Sequence, residues 1–256
     1  MRALLLLPTY NESENLSPIL ESILGIDPSL QVLVIDDHSP DGTGALADQW
    51  AVRDRRVQVL HRPAKAGLGL AYLAGFAEAL KGPAEAILQM DADFSHPVEW
   101  IPRLLQGLET YDFVLASRYI RGGGVQDWNL RRRLLSRGAN FFARTVLGLP
   151  IRDLTGGFKA FRRSVVEFLL RCPIEAKGYQ FQIETSARAL AAGFRCCEVP
   201  FCFVERKKGV SKMSGNLIGE AFWRTLRLRK TCRQGTQKSP PLIESDRCLN
   251  TAGNNK

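Results

Sequence analysis

Hydrophobic and polar positions alternate in a regular order along the first half of the chain, where short apolar runs are separated by longer amphipathic segments. Five apolar runs have the length and composition of buried strands: 3–7, 32–35, 57–60, 86–90 and 113–116. Four segments between them carry apolar residues at helical spacing: 14–25, 42–52, 68–81 and 98–109. Repeated strand and helix units predict an α/β fold with a parallel sheet and right-handed crossovers.

The second half has a less regular pattern. Segments 134–147 and 178–192 have helical spacing, and segment 194–204 predicts two more strands. Over 214–230, apolar residues recur at helical spacing while Trp and Arg residues lie off that stripe. This predicts an amphipathic basic helix that packs on the core, lies at a membrane interface, or does both. From residue 231 the composition is polar, so we expect residues 231–256 to form a disordered tail.

Polar groups follow each of the five predicted strands. The segments concerned are PTYNE at 8–12, DDHSPDGT at 36–43, Arg62 and Lys65 with GLG at 67–69, DADFSHP at 91–97, and SRY at 117–119. Because a parallel α/β sheet binds its ligand outside the carboxyl ends of its strands, these segments are expected to form one rim. Scattered loops that merely face solvent would carry polar groups less consistently.

Asp91 and Asp93 are the most informative pair on this rim. They stand two residues apart where an apolar run ends, so an extended backbone directs both carboxylates to the same side of the sheet. Hard oxygen donors suit Mg²⁺ or Mn²⁺, and such an ion suits a diphosphate. Alone, this pair is more often a solvated turn in which Asp caps the next helix. The other four polar strand ends favour the metal site.

Charge is unevenly distributed over the 256 residues. Residues 1–120 carry 9 Lys or Arg and 16 Asp or Glu, a net charge of −7, whereas residues 121–256 carry 26 and 10, a net charge of +16. The basic second half predicts an anionic partner, which the charge alone leaves open as nucleic acid, a phosphorylated substrate or a membrane surface.

The amino-terminal residues do not resemble a secretion signal. Only the apolar run 3–7 separates Met1-Arg2 from Pro8, which is too short for the apolar core of a signal peptide. No stretch approaches the ~20 apolar residues of a membrane span. We therefore expect a cytoplasmic protein that does not cross a bilayer.

Together, the rim motifs and the GGG at 122–124 resemble those of an inverting glycosyltransferase with the GT-A fold. The closer resemblance is to the dolichyl-phosphate mannose synthases and their bacterial polyprenyl-phosphate relatives. TGGF at 155–158, GYQFQIE at 178–184 and RKKGVSK at 206–212 extend it to about residue 230. The resemblance implies a Rossmann-like α/β fold in a single catalytic domain over 1–230, with a mixed, mainly parallel sheet flanked by helices. Within it, 1–120 would bind the nucleotide sugar and metal, 121–213 the acceptor, and 214–230 would form the basic helix.

The resemblance also implies roles for individual residues. The donor nucleotide would be bound by Pro8, Tyr10, Glu12, Ile35, Asp37, Asp91, Ala92 and Asp93. Mg²⁺ or Mn²⁺ would be held by Asp91, Asp93 and Ser95, with water completing the shell because a serine hydroxyl is a weaker ligand than the amide that relatives offer. The acceptor phosphate would be bound by Arg118, Arg132, Ser136, Arg206 and Lys212. The implied catalytic residues are Asp93, Arg118, Arg132 and Arg206.

The implied reaction transfers mannose from GDP-mannose to a polyprenyl monophosphate with inversion, which gives a β-mannosyl phosphoryl polyprenol. A phosphate monoester is largely dianionic near neutral pH, so the acceptor needs no catalytic base. Arginines would orient it, because a guanidinium stays charged and binds phosphate oxygens in a fork. The protein would associate peripherally with the cytoplasmic face of a membrane.

Three alternatives remain open at this stage. One is a polyprenyl-phosphate glucose or aminosugar transferase that uses a UDP-sugar. Another is a non-enzymatic nucleic-acid-binding module, which the lack of an interleaved basic and aromatic signature disfavours, so no nucleic-acid partner is expected. Finally, Glu184 in an otherwise apolar helix is either a base or a buried acid bonded to a basic neighbour.

Overall fold

A computed structural model describes residues 1–174, 178, 180–204 and 223–230. Its strands are β1 (Ala3–Thr9), β2 (Gln31–Asp36), β3 (Val57–His61), β4 (Ala86–Gln89), β5 (Phe113–Ser117), β6 (Gly124–Val125), β7 (Lys159–Arg162), β8 (Cys196–Pro200) and β9 (Cys202–Phe203). Its helices are α1 (Ser13–Leu24), α2 (Thr43–Arg53), α3 (Leu68–Ala79), a 3₁₀ turn (Val98–Trp100), α4 (Ile101–Gly107), α5 (Leu130–Leu147), α6 (Arg163–Arg171) and α7 (Gln180–Ala191). Residues 223–230 are also helical.

Seven of the strands form one sheet in the order β3-β2-β1-β4-β7-β5-β8. β1 pairs in parallel with β2 and β4, β2 with β3, and β5 with β8. β7 is inserted between β4 and β5 and runs antiparallel to both. The expectation of a mixed, mainly parallel sheet flanked by helices is therefore confirmed.

Hydrophobic layers cover both faces of this sheet. Successive side chains of a strand point to opposite faces, so Leu5 of β1 packs in the layer that contains α1, α2 and α4, and Leu6 packs in the layer that contains α3, α6 and α7. Both leucines are fully buried. Burial on both faces explains why the parallel strands read as continuous apolar runs rather than alternating ones.

The boundaries of two predicted helices differ from the sequence prediction for local reasons. The segment expected to be helical over 98–109 is a 3₁₀ turn followed by the shorter α4, whose first turn contains Pro102. α5 begins at Leu130, four residues earlier than predicted, because the Asn129 side chain accepts a hydrogen bond from the Arg132 N–H at 2.8 Å and caps the helix.

The predicted helix over 214–230 is described only from residue 223, and the predicted tail over 231–256 lies outside the described residues. Within the described part of the chain, no helix is both long and apolar enough to span a bilayer.

Candidate active site

The carboxyl ends of β1, β2 and β3 bring several polar side chains together. Arg62, which follows β3, donates to Asp37 Oδ1 at 2.5 Å at the end of β2. The Lys65 ammonium lies 3.6 Å from the centre of the Tyr10 ring, just beyond β1. Three strand ends therefore meet as the parallel sheet predicts, and they combine an aromatic face with charged groups of both signs.

Unusual backbone conformations accompany this rim. Asn11, His38 and Phe94 have φ of 59°, 59° and 61°, in the left-handed region that non-glycine residues seldom adopt. They follow β1, β2 and β4 respectively. Residues held in this region tend to cluster at functional sites, where the surrounding structure imposes the conformation.

The other expected donor-site residues differ in how they border the rim. Pro8 pairs in register with Ile35, and the Ile35 side chain is fully buried on the side of α3, so only its main chain borders the rim. Glu12 is half-buried, and its Oε2 accepts a hydrogen bond from Asn15 Nδ2 at 2.7 Å. Ala92 is buried within the loop that follows β4.

Two side chains, those of Tyr72 and His96, lie close to the Asp91 carboxylate, and 35% of the Asp91 side chain is exposed. Tyr72 O–H donates to its Oδ1 at 3.4 Å. The Asp91 N–H donates to His96 Nδ1 at 3.0 Å, so the neutral His96 ring carries its proton on Nε2, which lies 3.9 Å from Asp91 Oδ2. Burial against Phe158, whose ring centre is 5.0 Å away, lowers the pKa of His96 and favours this neutral form.

Asp93 and Ser95 form a tight turn two residues further along. Asp93 Oδ1 accepts a hydrogen bond from the Ser95 N–H at 3.1 Å. Ser95 Oγ is buried and lacks a hydrogen-bond partner among the described residues, which is unusual for a buried hydroxyl. Two carboxylates and an unsatisfied hydroxyl suit Mg²⁺ or Mn²⁺, which accept few protein ligands and complete their shell with water and phosphate. In the described part of the chain, no cluster of three His, Cys, Asp or Glu residues offers a closed metal cage.

Arg118 at the end of β5 is held by a buried carboxylate. Its Nε and Nη2 donate to the two Asp153 oxygens at 2.7 and 2.6 Å, and Nη2 also donates to Thr155 Oγ1 at 2.8 Å. Asp153 is fully buried and 8% of the Arg118 side chain is exposed. Asn140 of α5 joins the network by donating to Thr155 Oγ1 at 2.9 Å. This ion pair fixes the guanidinium in place and offsets much of its charge.

The first turns of α5 approach the same region. Ser136 Oγ accepts a hydrogen bond from Tyr119 O–H at 2.7 Å, and the Arg132 guanidinium lies 4.2 Å from the centre of the Trp128 ring. The Arg118 guanidinium lies 5.6 Å from that same ring. The structure thus groups three of the five expected phosphate-binding residues, while the other two, Arg206 and Lys212, lie outside the described residues.

A cationic cavity lies beside this group. Its volume is about 330 Å³, and four arginines contribute to its lining: Arg118, Arg137, Arg144 and Arg152. Sequence reasoning did not select the last three, because their convergence depends on how α5 packs on the sheet.

Two further buried groups escaped the sequence analysis. Lys159 of β7 is fully buried, and its Nζ donates to the Gln182 carbonyl at 2.7 Å and to Ser186 Oγ at 2.9 Å. Burial lowers the pKa of Lys159 to about 7. Asp153, the partner of Arg118, was also missed. For Glu184, the structure favours the buried acid over the base, because its Oε1 accepts from Arg188 Nε at 2.8 Å.

Comparison with known proteins gives three findings. The family model "Glycosyl transferase family 2" matches residues 5–170. A polyprenol monophosphomannose synthase of Mycolicibacterium smegmatis is 48% identical over 225 residues, which are 87% of this chain and 85% of that protein. An undecaprenyl-phosphate mannosyltransferase of Micrococcus luteus is 44% identical over 221 residues, which are 86% of this chain and 91% of that protein.

Solved structures agree on the fold. The mannosyltransferase PcManGT from Pyrobaculum calidifontis, in complex with GDP-Man and Mn²⁺, superposes with a TM-score of 0.57 at 19% identity. That match covers 93% of this chain and 66% of the other. A mannosyl-3-phosphoglycerate synthase from Rubrobacter xylanophilus gives a TM-score of 0.59 at 18% identity, over 93% of this chain and 76% of the other. At these identities the likeness concerns the fold alone.

Proposed function

The chain belongs to glycosyl transferase family 2, and on that premise we propose that it transfers mannose from GDP-mannose to a polyprenyl monophosphate. The product would be a β-mannosyl phosphoryl polyprenol, formed with inversion. Similarity to the two polyprenyl-phosphate mannosyltransferases over most of both chains supports the acceptor class and the sugar. The observation that carries the proposal is the position of Asp91 and Asp93 at the end of β4, on a rim shared with β1, β2 and β3.

On the donor side, the rim would bind the nucleoside and diphosphate. Tyr10 and Asp37 would bind the nucleoside, and Asp91, Asp93 and Ser95 would hold Mg²⁺ or Mn²⁺. When bound, the ion would neutralise the charge that the diphosphate gains as it leaves. The buried and unsatisfied Ser95 hydroxyl supports this assignment, because a cation would supply the interaction that it lacks.

On the acceptor side, the protein would orient a phosphate instead of supplying a base. The attacking phosphate oxygen already bears charge near neutral pH, so rate would come from placing it in line with the anomeric carbon. Ser136 of α5 accepts from Tyr119, and the guanidinium groups of Arg132 and Arg118 lie 4.2 and 5.6 Å from the centre of the Trp128 ring. We assign the same task to Arg206 and Lys212 from the motif that contains them.

We further propose that α5 faces the membrane that carries the acceptor, on its cytoplasmic side. Leu130, Leu134 and Phe141 lie on one face of α5 and are 71%, 60% and 68% exposed. Arg137 and Arg144, which line the cationic cavity, lie on this same face of α5. Exposed apolar groups beside cations match the surface of an anionic bilayer.

One assay tests the proposed reaction. Purified protein is incubated with Mn²⁺ or Mg²⁺, a polyprenyl phosphate and either GDP-mannose, UDP-glucose or UDP-N-acetylglucosamine, and the lipid extract is analysed by mass spectrometry. We expect a hexosyl phosphoryl polyprenol from GDP-mannose alone. Product from a UDP-sugar instead would identify a different donor, and no product from any donor would refute the proposal. Binding of oligonucleotides without sugar transfer would favour the nucleic-acid module.

A further inference from the structure

Gln182 is one of four side chains in the described part of the chain that have buried polar atoms without a hydrogen-bond partner, the others being Gln89, Ser95 and Trp128. Gln182 of α7 is 1% exposed, and neither its amide nitrogen nor its amide oxygen has a hydrogen-bond partner within the described part of the chain. Burial of an unpaired amide destabilises the folded state. A residue that carries this cost next to a ligand site is a candidate for an interaction that forms only when the site is loaded.

The Gln182 amide and the Asp91 carboxylate both lie close to Gly157. A Cβ atom on Gly157 would stand 3.4 Å from Gln182 Nε2, 3.6 Å from His96 Cε1 and 3.8 Å from Asp91 Oδ2. Because Gly157 has no side chain, a small gap remains there, and the Gln182 amide and the Asp91 carboxylate border it. Gln182 Nε2 and Asp91 Oδ2 both lie close to this one point, so they are at most about 7.2 Å apart.

The backbone that carries Gln182 is firmly held. Lys159 Nζ donates to the Gln182 carbonyl at 2.7 Å and to Ser186 Oγ at 2.9 Å, which ties α7 to β7. The adjacent Phe181 ring stacks on Tyr72 with ring centres 5.9 Å apart. Gln182 thus starts from a fixed backbone position, and only its side chain needs to move.

We propose that Gln182 is a positioning residue for Asp91, which rests on the proposed function. In the loaded site the Gln182 amide donates a hydrogen bond to Asp91 Oδ2 and sets the orientation in which Asp91 meets the divalent cation. His96 Nε2, 3.9 Å from the same oxygen, acts alongside it. The Gln182 amide is uncharged, so it orients the carboxylate without adding an opposing charge.

The Gln182→Met variant separates this role from a packing role. Methionine keeps the length of the side chain but removes the amide, so the metal-free protein should unfold at a higher temperature than the wild type. The same variant should bind Mn²⁺ about 10- to 100-fold more weakly in the presence of GDP, measured by titration calorimetry, because loss of an outer-layer partner of a metal ligand has effects of this size. A merely structural residue would not give these opposite changes.

Two further variants complete the test. Ser186→Ala removes an acceptor of Lys159 on the same helix and should lower the unfolding temperature without changing the Mn²⁺ affinity. Gly157→Ala is compatible with the backbone, because φ of Gly157 is not in the left-handed region. The added methyl group would fill the gap beside Gln182 Nε2 and Asp91 Oδ2 and hinder their hydrogen bond. Gly157→Ala should therefore weaken Mn²⁺ binding as Gln182→Met does.

The outcomes distinguish this inference from the function on which it rests. If the wild type binds Mn²⁺ with GDP while Gln182→Met or Gly157→Ala binds it equally well, the role of Gln182 is refuted and the proposed function stands. A lower unfolding temperature for Gln182→Met would likewise refute it, because the amide would then stabilise the metal-free fold. If the wild type itself does not bind Mn²⁺ with GDP, the donor site proposed above is wrong.

Discussion

Asp91 on the donor side and Arg118 on the acceptor side of the site differ in their burial and in their neighbours. On the donor side, Asp91 is partly exposed and flanked by the uncharged Tyr72 and His96. On the acceptor side, Arg118 is almost buried and bound through two nitrogens to the fully buried Asp153. The donor side thus surrounds Asp91 with hydrogen-bonding groups, while another of its carboxylates, Asp37, is paired with Arg62. On the acceptor side, the Asp153 carboxylate fixes the orientation of the Arg118 guanidinium and offsets its charge. An arginine in such a site can therefore act more by its fixed position than by its net charge.

Removal of the Arg118 guanidinium should have the largest effect on stability of the changes considered for the two sides. Arg118→Met would leave Asp153 buried without its partner, so the free energy of unfolding should fall by about 3–5 kcal/mol in denaturant titrations. Arg132→Met is the matched control, because Arg132 is only half-buried over Trp128, and it should lose less than about 1 kcal/mol.

A double variant tests whether the stability loss in Arg118→Met comes from the unpaired Asp153 carboxylate. Adding Asp153→Asn to Arg118→Met should recover part of the lost stability, since the uncompensated buried charge is then gone. Equal small losses in Arg118→Met and Arg132→Met would contradict the positional role of Arg118.

Removal of a donor-side carboxylate should act on turnover rather than on stability. Asp93→Asn removes one charge from the expected cation site, so kcat/KM for the mannosyl donor should fall about 10²- to 10³-fold. The unfolding temperature should change little, because the amide can still accept from the Ser95 N–H. Glu109→Gln, an exposed change just beyond α4 at the other end of the strands, should keep wild-type activity. Activity of Asp93→Asn within tenfold of the wild type would exclude a metal-binding role.

Lys159 lies in β7, between β4 of the donor side and β5 of the acceptor side, and it should make the free energy of unfolding depend on pH. Its pKa is lowered from 10.5 to about 7 by burial, so between these values the unfolded chain holds a proton that the folded protein lacks. The contribution of Lys159 to stability should therefore rise with pH from about 7 to about 10, by at most ~1.4 kcal/mol per pH unit. Relative to the wild type, Lys159→Met should be most favourable near pH 6 and lose that advantage as the pH rises. A stability difference that stays constant from pH 6 to 9 would contradict the buried amine.

The smallest expected effects concern the outer face of α5. Leu134→Ser should weaken association with vesicles that contain anionic phospholipid by roughly 5- to 10-fold, because one exposed leucine no longer enters the lipid interface. Val52→Ser on α2, where the valine is 90% exposed, is the control and should bind as the wild type does. Sedimentation with vesicles measures both variants. Equal losses would mean that α5 is not the membrane-facing surface.

Periodicity in the sequence was sufficient to predict strands β1 to β5 and the rim formed by their carboxyl ends. β7 was missed because it spans four residues and has a charged residue at each end, Lys159 and Arg162, so neither an apolar run nor a clear alternation marks it. The buried Lys159 is satisfied by α7, which is distant in the sequence. No local pattern indicates such a partner.

The site was predictable in part for the same physical reason. Asp91 and Asp93 could be predicted from their spacing at the end of an apolar run. The partner of Arg118 could not, because Asp153 is 35 residues away in the sequence. Gln182 stands out in the sequence as a polar residue in an otherwise apolar helix, but only the packed structure reveals that its amide lacks partners among the described residues. Pairings over long separations and unsatisfied groups are properties of the fold, and a single sequence does not display them.

The configuration of the product tests the central claim most directly. The glycolipid made from GDP-mannose and a polyprenyl phosphate is purified, and the one-bond carbon–hydrogen coupling at the anomeric carbon is measured by NMR. Direct attack by an oriented phosphate, with no base and no second displacement, predicts a β-mannosyl phosphate. An α-linked product, or mannose released to water without phosphate linkage, would contradict the account.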